Sequence, residues 1–201
     1  MRCSVALCTY NGARHLLAQL DSILAQTRRP DELVVSDDAS TDGTGEILRR
    51  FAELAPFPVR VSRQETNVGI TRNFACVIRG CAGDWIALSD QDDVWYPDKL
   101  RVLESALAGD PHAGTVFSDA DVVDEDLRPL GYSLWDAADF DERKRQTARR
   151  GNLFDVLLWG NVVTGATMAF RAGVRDIVLP IPDGWVHDGW IGLIAAATGR
   201  V

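Results

Sequence analysis

Short apolar runs alternate with longer amphipathic segments through the first hundred positions of the chain. Runs such as Leu33–Val35 and Trp85–Leu88 contain no polar alternation, which is typical of strands covered on both faces. The pattern predicts strands at Ser4–Cys8, Glu32–Ser36, Pro58–Ser62 and Trp85–Ser89, and helices at Leu16–Ala25, Gly43–Leu54 and Thr71–Arg79. This strand–helix alternation predicts an α/β protein with a mainly parallel sheet.

After Asp93 the alternation weakens. Segment Asp136–Arg150 is charged and poor in apolar residues, so we expect a mobile loop or an exposed helix there. Gly199 is a good helix terminator, and Arg200-Val201 then resembles the start of a further strand, so we expect a fold truncated at this end. The remaining predicted elements are helices at Pro97–Ala108, Leu153–Trp159 and Trp190–Ala197, and strands at Thr115–Asp119 and Ala166–Phe170.

The composition argues against a nucleic-acid-binding protein and against a membrane-spanning one. The chain has 201 residues, the size of one domain, and a formal net charge of −8. Binding along a nucleic-acid backbone is not expected, because it requires clustered Lys and Arg. No apolar run approaches the roughly twenty residues that cross a bilayer, and the four cysteines lack metal-ligand spacing. We expect a cytoplasmic protein with reduced, mostly buried thiols.

Polar clusters follow three of the predicted strands. They are Thr9-Tyr10-Asn11, Asp37-Asp38-Ala39-Ser40 and Asp90-Gln91-Asp92-Asp93. Ligands of parallel α/β sheets bind at the carboxyl ends of the strands, where such loops meet. The three loops together therefore predict one binding rim.

The cluster Asp90, Asp92 and Asp93 has two interpretations. Crowded carboxylates repel one another unless a cation neutralises them, and an oxygen-only ligand set suits Mg²⁺ or Mn²⁺. The alternative is a solvated acidic turn, with Asp93 or Asp98 capping the next helix. The position of the cluster on the predicted rim favours a metal site.

Five segments, in order, resemble the motifs of family 2 glycosyltransferases. The sequences of Asp90–Trp95 and Gly165–Phe170 are most similar to those of bacterial rhamnosyltransferase-like members. The five segments are Thr9–Gly12, Asp37–Thr44, Asn67–Phe74, Ser89–Trp95 and His187–Trp190. The resemblance implies an inverting enzyme with the GT-A fold: one domain over residues 1–201, with a nucleotide-sugar half (about 1–96) and an acceptor half (about 97–201).

The resemblance also implies roles for the donor side. Thr9 and Asn11 would lie beside the nucleotide base, with Tyr10 packed against it, and Asp38 would accept a hydrogen bond from the base. Asp37 caps the following turn in an alternative interpretation, and Ser40, Thr41 and Asp42 are expected to be structural.

For the ribose and the metal ion, the resemblance leaves neighbouring aspartates as alternatives. Asp90 or Asp92 would hold the ribose, and Asp92 or Asp93 the metal ion. Gly69 permits a close backbone approach beside Asn67. Arg72 either lies over the donor diphosphate or is an exposed cation at a helix start.

On the acceptor side, Asp188 matches the family's general base. The preceding residue is acidic in the commoner form of the motif, whereas here it is His187, which would bind acceptor, tune Asp188 or pack. Trp95, Trp185 and Trp190 are candidates for shaping an acceptor-sugar site, with core packing as the alternative.

The implied function is sugar transfer from a UDP- or dTDP-linked donor, with dTDP-rhamnose as a candidate, to a glycan or lipid-linked saccharide. Bacterial surface polysaccharide synthesis is the expected context, with peripheral association of the full-length protein at the inner face of the plasma membrane. Two rivals are an inactive nucleotide-sugar-binding module and a sugar-phosphate nucleotidyltransferase. The second would need a Gly-rich phosphate loop, which Thr9–Gly12 does not supply.

Overall fold

A six-stranded mixed sheet forms the centre of the computed structural model, which describes residues 1–199. Its strand order is β3-β2-β1-β4-β8-β5, and all its strands share one direction except β8, which is antiparallel to β4 and β5. The strands, including a separate hairpin of β6 and β7, are β1 Cys3–Thr9, β2 Glu32–Asp37, β3 Val59–Arg63, β4 Trp85–Ser89, β5 Thr115–Phe117, β6 Asp121–Val123, β7 Pro129–Ser133 and β8 Met168–Arg171. The mainly parallel sheet expected from the sequence is confirmed.

Helices cover both faces of this sheet. Alternate residues of β1 enter two separate cores, with Val5 and Leu7 on one face and Ala6 and Cys8 on the other. This double burial explains the uninterrupted apolar runs. The helices are α1 Leu16–Leu24, α2 Thr44–Leu54, α3 Ile70–Gly80, α4 Lys99–Gly109, α5 Leu134–Ala137, α6 Glu142–Thr147, α7 Leu153–Leu157, α8 Ala172–Val178 and α9 His187–Ala197.

Predictions for the second half were less complete. The hairpin of β6 and β7 and helix α8 were not predicted, since their short segments carry little periodic signal. The strand predicted at Ala166 begins at Met168, because a 3₁₀ turn, Gly165–Thr167, precedes it. The charged stretch expected to be a loop or exposed helix contains α6 and a π-helical turn, Ala148–Asn152. The strand predicted at Arg200-Val201 lies outside the described residues.

Topology brings the ends of β1, β2 and β4 side by side. β1 lies between β2 and β4 and is parallel to both, so the loops that follow Thr9, Asp37 and Ser89 leave the same edge of the sheet. Among residues 1–199, no helix is long and apolar enough to cross a membrane. All four cysteines are free thiols, and of these Cys76 is exposed.

Candidate functional site

Direct hydrogen bonds tie the three rim loops together. The Asp38 N–H donates to the Thr9 carbonyl (2.8 Å). The Gln91 side chain accepts from the Tyr10 N–H (2.9 Å) and donates to the Tyr10 carbonyl (3.1 Å). A Cβ on Gly12 would lie 2.1 Å from Gln91 Oε1, so only glycine lets this amide lie across the first loop. The predicted convergence of the loops is therefore confirmed.

Asp37 is the buried anchor of the first two loops. Its carboxylate accepts from the Thr9 hydroxyl (2.9 Å) and from both the N–H and the hydroxyl of Ser40. Ser40 Oγ in turn accepts from the Asn11 N–H (2.9 Å), and Asp42 accepts from the Thr44 N–H (2.9 Å) at the start of α2. These bonds agree with structural roles for Ser40 and Asp42.

Asp38 holds the loop that leads into α3. Its two carboxylate oxygens accept from the N–H groups of Val68 (2.7 Å) and Gly69 (2.9 Å), one each. Gly69 adopts φ 84° and ψ 156°, a conformation essentially restricted to glycine. Asn67 is exposed at the beginning of this loop. Sequence reasoning missed this anchoring role of Asp38; its expected bond to a base remains a prediction.

Arg72 lies at one wall of a cleft of about 280 Å³ between the start of α3 and the segment 181–185. Its guanidinium bonds the exposed carboxylate of Asp183 (2.9 Å). Of the two interpretations offered by the sequence, the geometry resembles the exposed cation at a helix start, because a surface partner occupies the guanidinium.

Asp90 and Asp93 are half-buried after β4, whereas Asp92 is exposed. Burial first, and then the charges of Asp93, Asp92 and Asp188, raise the pKa of Asp90 to about 7. Burial also raises the pKa of Asp93. No donor from residues 1–199 reaches the buried Asp93 Oδ2.

These carboxylates do not form a complete metal cage. Within the described part of the chain, no three His, Cys, Asp or Glu side chains come together as a metal site. The structure therefore does not bring Asp90, Asp92 and Asp93 together as the three-carboxylate metal site expected from the sequence. Mg²⁺ needs fewer protein ligands than that, since water and substrate phosphates commonly supply the others.

Lys99 is a cation that the sequence analysis overlooked. Its ammonium lies 4.1 Å from the centroid of the Trp95 ring and donates to the Ala166 carbonyl. Burial lowers its pKa to about 8, against the opposing effect of Asp93 and Asp90. A lysine in the first turn of the helix after an acidic loop was the available signal.

The burial of Trp95 argues against its expected role in shaping an acceptor-sugar site. Its indole is buried in the core, and Lys99 lies over its ring, so no face is open to an acceptor sugar. Trp190 is half-buried, with its indole N–H bonded to the Val178 carbonyl (2.8 Å). Trp185 is the one of these three candidates that is exposed, and its ring lies 5.4 Å from that of Trp190.

Asp188 lies in the first turn of α9, and three N–H groups orient its carboxylate. It accepts from the Asn161 side chain (3.1 Å), from the Gly165 backbone (3.2 Å) and from the Gly189 backbone. The carboxylate remains partly exposed, and its charge contributes to the raised pKa of Asp90. Asp188 therefore lies near enough to Asp90 for its charge to act on that carboxyl.

His187 is buried beneath this site. Its ring stacks on Phe74 at 3.8 Å, and neither ring nitrogen has a hydrogen-bond partner among residues 1–199. Burial lowers its pKa to about 4. Of the three roles considered for His187, this geometry agrees with packing and is against direct contact with an acceptor.

Comparison with known sequences gives one family match. The model of "Glycosyl transferase family 2" matches residues 4–177. The uncharacterized protein Rv1520 of Mycobacterium tuberculosis is 34% identical over 190 residues, 92% of this chain and 52% of that protein. The dTDP-rhamnosyl transferase RfbG of Shigella flexneri is 34% identical over 99 residues, 47% of this chain and 34% of RfbG. The chain thus spans about half the length of Rv1520.

Two solved structures have the same fold. TarS of S. aureus in complex with UDP-GlcNAc has a TM-score of 0.73 at 20% identity, over 98% of this chain and 54% of TarS. The mannosyltransferase PcManGT from Pyrobaculum calidifontis, in complex with GDP-Man and Mn²⁺, has a TM-score of 0.66 at 24% identity, over 94% of this chain and 50% of PcManGT. The expected GT-A-like fold is confirmed.

Proposed function

The chain belongs to glycosyl transferase family 2, and from that premise we propose that it transfers a sugar from a nucleoside-diphosphate sugar to an acceptor hydroxyl with inversion. The observation that carries the proposal is the position of Asp188, which the side chain of Asn161 and the backbone of Gly165 hold by hydrogen bonds; its charge, after burial and the charges of Asp93 and Asp92, contributes to the raised pKa of Asp90. A proton acceptor and a diphosphate-binding loop are both required beside the anomeric carbon, and the two halves of the chain supply one each.

The proposed donor is UDP- or dTDP-linked, with dTDP-rhamnose as the first candidate. Uracil and thymine carry an imide N–H, which needs an acceptor when it is buried. Each Asp38 oxygen already accepts one backbone N–H, and a carboxylate oxygen has a second lone pair for the base. The names of RfbG and of the TarS complex support a pyrimidine-linked donor. We assign the surrounding contacts to Thr9, Tyr10, Asn11, Asn67 and Gly69.

The residues present fit a divalent metal ion, Mg²⁺ or Mn²⁺. Asp93 Oδ2 has no hydrogen-bond donor among residues 1–199, the available ligands are oxygens, and Asp92 is exposed beside it. Asp92 and Asp93 would hold the ion, and Asp90 the donor ribose. When bound, the ion would neutralise the charge that grows on the departing diphosphate.

Asp188 is the proposed general base. It accepts the proton of the acceptor hydroxyl while the oxygen forms a bond to the anomeric carbon, and the bond from that carbon to the diphosphate oxygen breaks. This single displacement inverts the anomeric centre. The N–H groups of Asn161 and Gly165 fix the carboxylate in place, so its orientation is set before the acceptor arrives.

The proposed acceptor is a glycan or a lipid-linked saccharide in bacterial surface polysaccharide synthesis, at the cytoplasmic face of the plasma membrane. Trp185 supports this, since its exposed indole precedes the base by three positions and aromatic rings stack on sugar faces.

A donor screen tests the proposal. The protein is incubated with dTDP-rhamnose, UDP-glucose, UDP-GlcNAc and GDP-mannose, with Mn²⁺ and rhamnosylated or glucosylated lipid acceptors, and nucleoside diphosphate release is measured. In parallel, calorimetry compares UDP, dTDP, ADP and GDP. We expect UDP and dTDP to bind at least about tenfold more tightly than ADP, because adenine, unlike uracil, thymine and guanine, has no ring N–H to donate to Asp38. Equal affinity for all four bases would remove Asp38 from the account, and binding without release would favour the inactive binding module.

A further inference from the structure

Lys99 joins two segments that are far apart in the sequence. It is the first residue of α4, and the loop that carries Asp90 and Asp93 lies between it and β4. Its ammonium donates a hydrogen bond to the carbonyl of Ala166, 67 residues further along the chain. Ala166 is the middle residue of the 3₁₀ turn Gly165–Thr167. This hydrogen bond therefore connects the acidic loop to that turn.

The same turn holds the proposed base. The Gly165 N–H donates to the carboxylate of Asp188 (3.2 Å), and Gly165 directly precedes Ala166. A Cβ on Gly165 would lie 2.5 Å from Nε2 of the buried His187, so glycine lets the turn pack closely against the start of α9. Adjacent residues of one turn therefore bond Lys99 and Asp188.

The surroundings of the Lys99 ammonium argue for a role beyond packing. The charges of Asp93 and Asp90 act on it, and the centroid of the Trp95 ring lies 4.1 Å away. Its hydrogen bond, however, goes to the Ala166 carbonyl. Burial of a cation is costly, and a well-packed apolar side chain in its place is often neutral or stabilising. A side chain that only filled space here would not need a charge, whereas a hydrogen-bonded ammonium fixes the position of the carbonyl.

We propose that Lys99 is a positioning residue, which holds the turn Gly165–Thr167 and thereby fixes Asp188 relative to the acidic loop. Lys99 contacts neither the donor nor the acceptor and acts only through the turn. The tether does not depend on the proposed function, but its consequence for catalysis rests on that function. Displacement of a reacting group by about 1 Å can cost about 10² in rate, so a small shift of the turn is enough to slow transfer.

The charge of Lys99 has an alternative use, which is to offset the carboxylates of Asp90 and Asp93. The two roles predict different kinetics. Loss of an offsetting charge alters the affinity for Mn²⁺ and the KM for the donor, whereas loss of the tether lowers kcat at saturating donor and metal. The hydrogen bond favours the tether, because an offsetting charge needs no bond to a carbonyl 67 residues away.

Steady-state kinetics at saturating Mn²⁺ test the proposal. Lys99→Met removes the ammonium and keeps an unbranched side chain, whereas Lys99→Arg keeps the charge and the donors. Lys144→Met is the matched control, because Lys144 is the chain's other lysine and its ammonium bonds the exposed Asp139 (2.6 Å). Each change is also made in Asp188→Asn, and kcat and the KM for the donor are measured. Hydrogen exchange of the amides of residues 165–168 is followed in parallel, since it needs no turnover.

We expect Lys99→Met to lower kcat by about 30-fold while the KM for the donor stays within about threefold. Lys99→Arg should recover most of that loss, and Lys144→Met should change neither value. In the Asp188→Asn background, Lys99→Met should cost less than about threefold further, because the base that it positions is absent. The amides of residues 165–168 should exchange at least about tenfold faster in Lys99→Met, with those of β1 unchanged.

Four results would overturn the proposal: an additive loss in Lys99→Met/Asp188→Asn, a change confined to KM or Mn²⁺ affinity, an equal loss in Lys144→Met, or unchanged exchange at residues 165–168. If wild type transfers no sugar, the proposed function fails, and hydrogen exchange alone decides whether Lys99 holds the turn. Circular dichroism checks that each variant is folded, and Lys99→Gln replaces Lys99→Met if methionine is not tolerated.

Discussion

Two pairs of carboxylates lie at the rim, and they differ in how many hydrogen bonds they accept from the protein. Asp37 and Asp38 are buried, and together they accept hydrogen bonds from four other residues of the loops. Asp90 and Asp93 are half-buried after β4, and Asp93 Oδ2 receives no donor from residues 1–199. Both pairs follow a strand of the same sheet, so the difference lies in their partners and not in their topology.

The number of hydrogen-bond donors around each pair indicates its role. Buried carboxylates with a full set of N–H and O–H donors are stable as anions and fix the backbone around them. Carboxylates without donors are costly to bury and raise one another's pKa, unless a cation joins them. Asp37 and Asp38 therefore hold the rim loops in place, whereas we propose that Asp93 binds the metal ion and Asp90 the donor ribose.

The largest expected effect concerns Asp188, which has ordered donors but remains accessible. Asp188→Asn preserves shape and removes the proton acceptor, so turnover should fall by about 10² to 10⁴ while UDP affinity stays within twofold. Asn161→Ala, which removes one orienting N–H, should cause a smaller fall. The measurement is turnover and calorimetry on each variant. Turnover of Asp188→Asn within a few-fold of wild type would leave the base unidentified.

Asp37→Ala should destabilise the fold by about 3 kcal/mol, because buried donors of Thr9 and Ser40 lose their acceptor. Denaturant unfolding measures this change. The loss should be the same with Mn²⁺ and with chelator, since Asp37 is assigned no metal. A loss that appears only in one of the two conditions would contradict the distinction between the pairs.

Asp90→Asn should raise the free energy of unfolding, by an amount that depends strongly on pH. The folded-state pKa of Asp90 is raised to about 7, so the folded state keeps a proton that the unfolded chain loses near pH 4. Stability therefore falls as pH rises from about 4 to about 7. In chelator, Asp90→Asn should stabilise the protein by about 2 kcal/mol at pH 8, roughly half of what a shift of about three pKa units is worth, because solvent screens the half-buried carboxylate; at pH 4 it should hardly change stability. The exposed neighbour Asp92→Asn is the matched control, and an equal gain there would count against the burial of Asp90 as the cause.

Gly69→Ala gives the smallest effect and sharpens the account of the first pair. Its backbone at φ 84° disfavours any side chain, so we expect a loss of about 1 kcal/mol in the free energy of unfolding. Gly109→Ala is the control, because a Cβ there meets open space and its φ lies outside the left-handed region. Equal stability changes in both variants would show that backbone strain at Gly69 is not the reason for glycine.

The sequence predicted the first half of the fold well, because apolar runs such as Trp85–Leu88 are buried on both faces and leave a strong signal. It also predicted that the three rim loops meet at one edge of the sheet, which their mutual hydrogen bonds confirm. It could not reveal that Asp38 holds the Val68–Gly69 backbone, since that bond depends on how the chain folds back. His187 and Trp95 looked like ligand contacts beside their motifs, but tertiary packing buried both. The short strands of the β6–β7 hairpin carried too few apolar residues to stand out.

We propose that Asp93, with the neighbouring Asp92, binds a cation together with a nucleoside diphosphate. Calorimetry of UDP binding tests it most directly, on wild type and Asp93→Asn, each with Mn²⁺ and with chelator. The account predicts that chelation and the substitution each weaken UDP binding by at least tenfold, and that the two effects do not add. UDP affinity within twofold across all four conditions would contradict it.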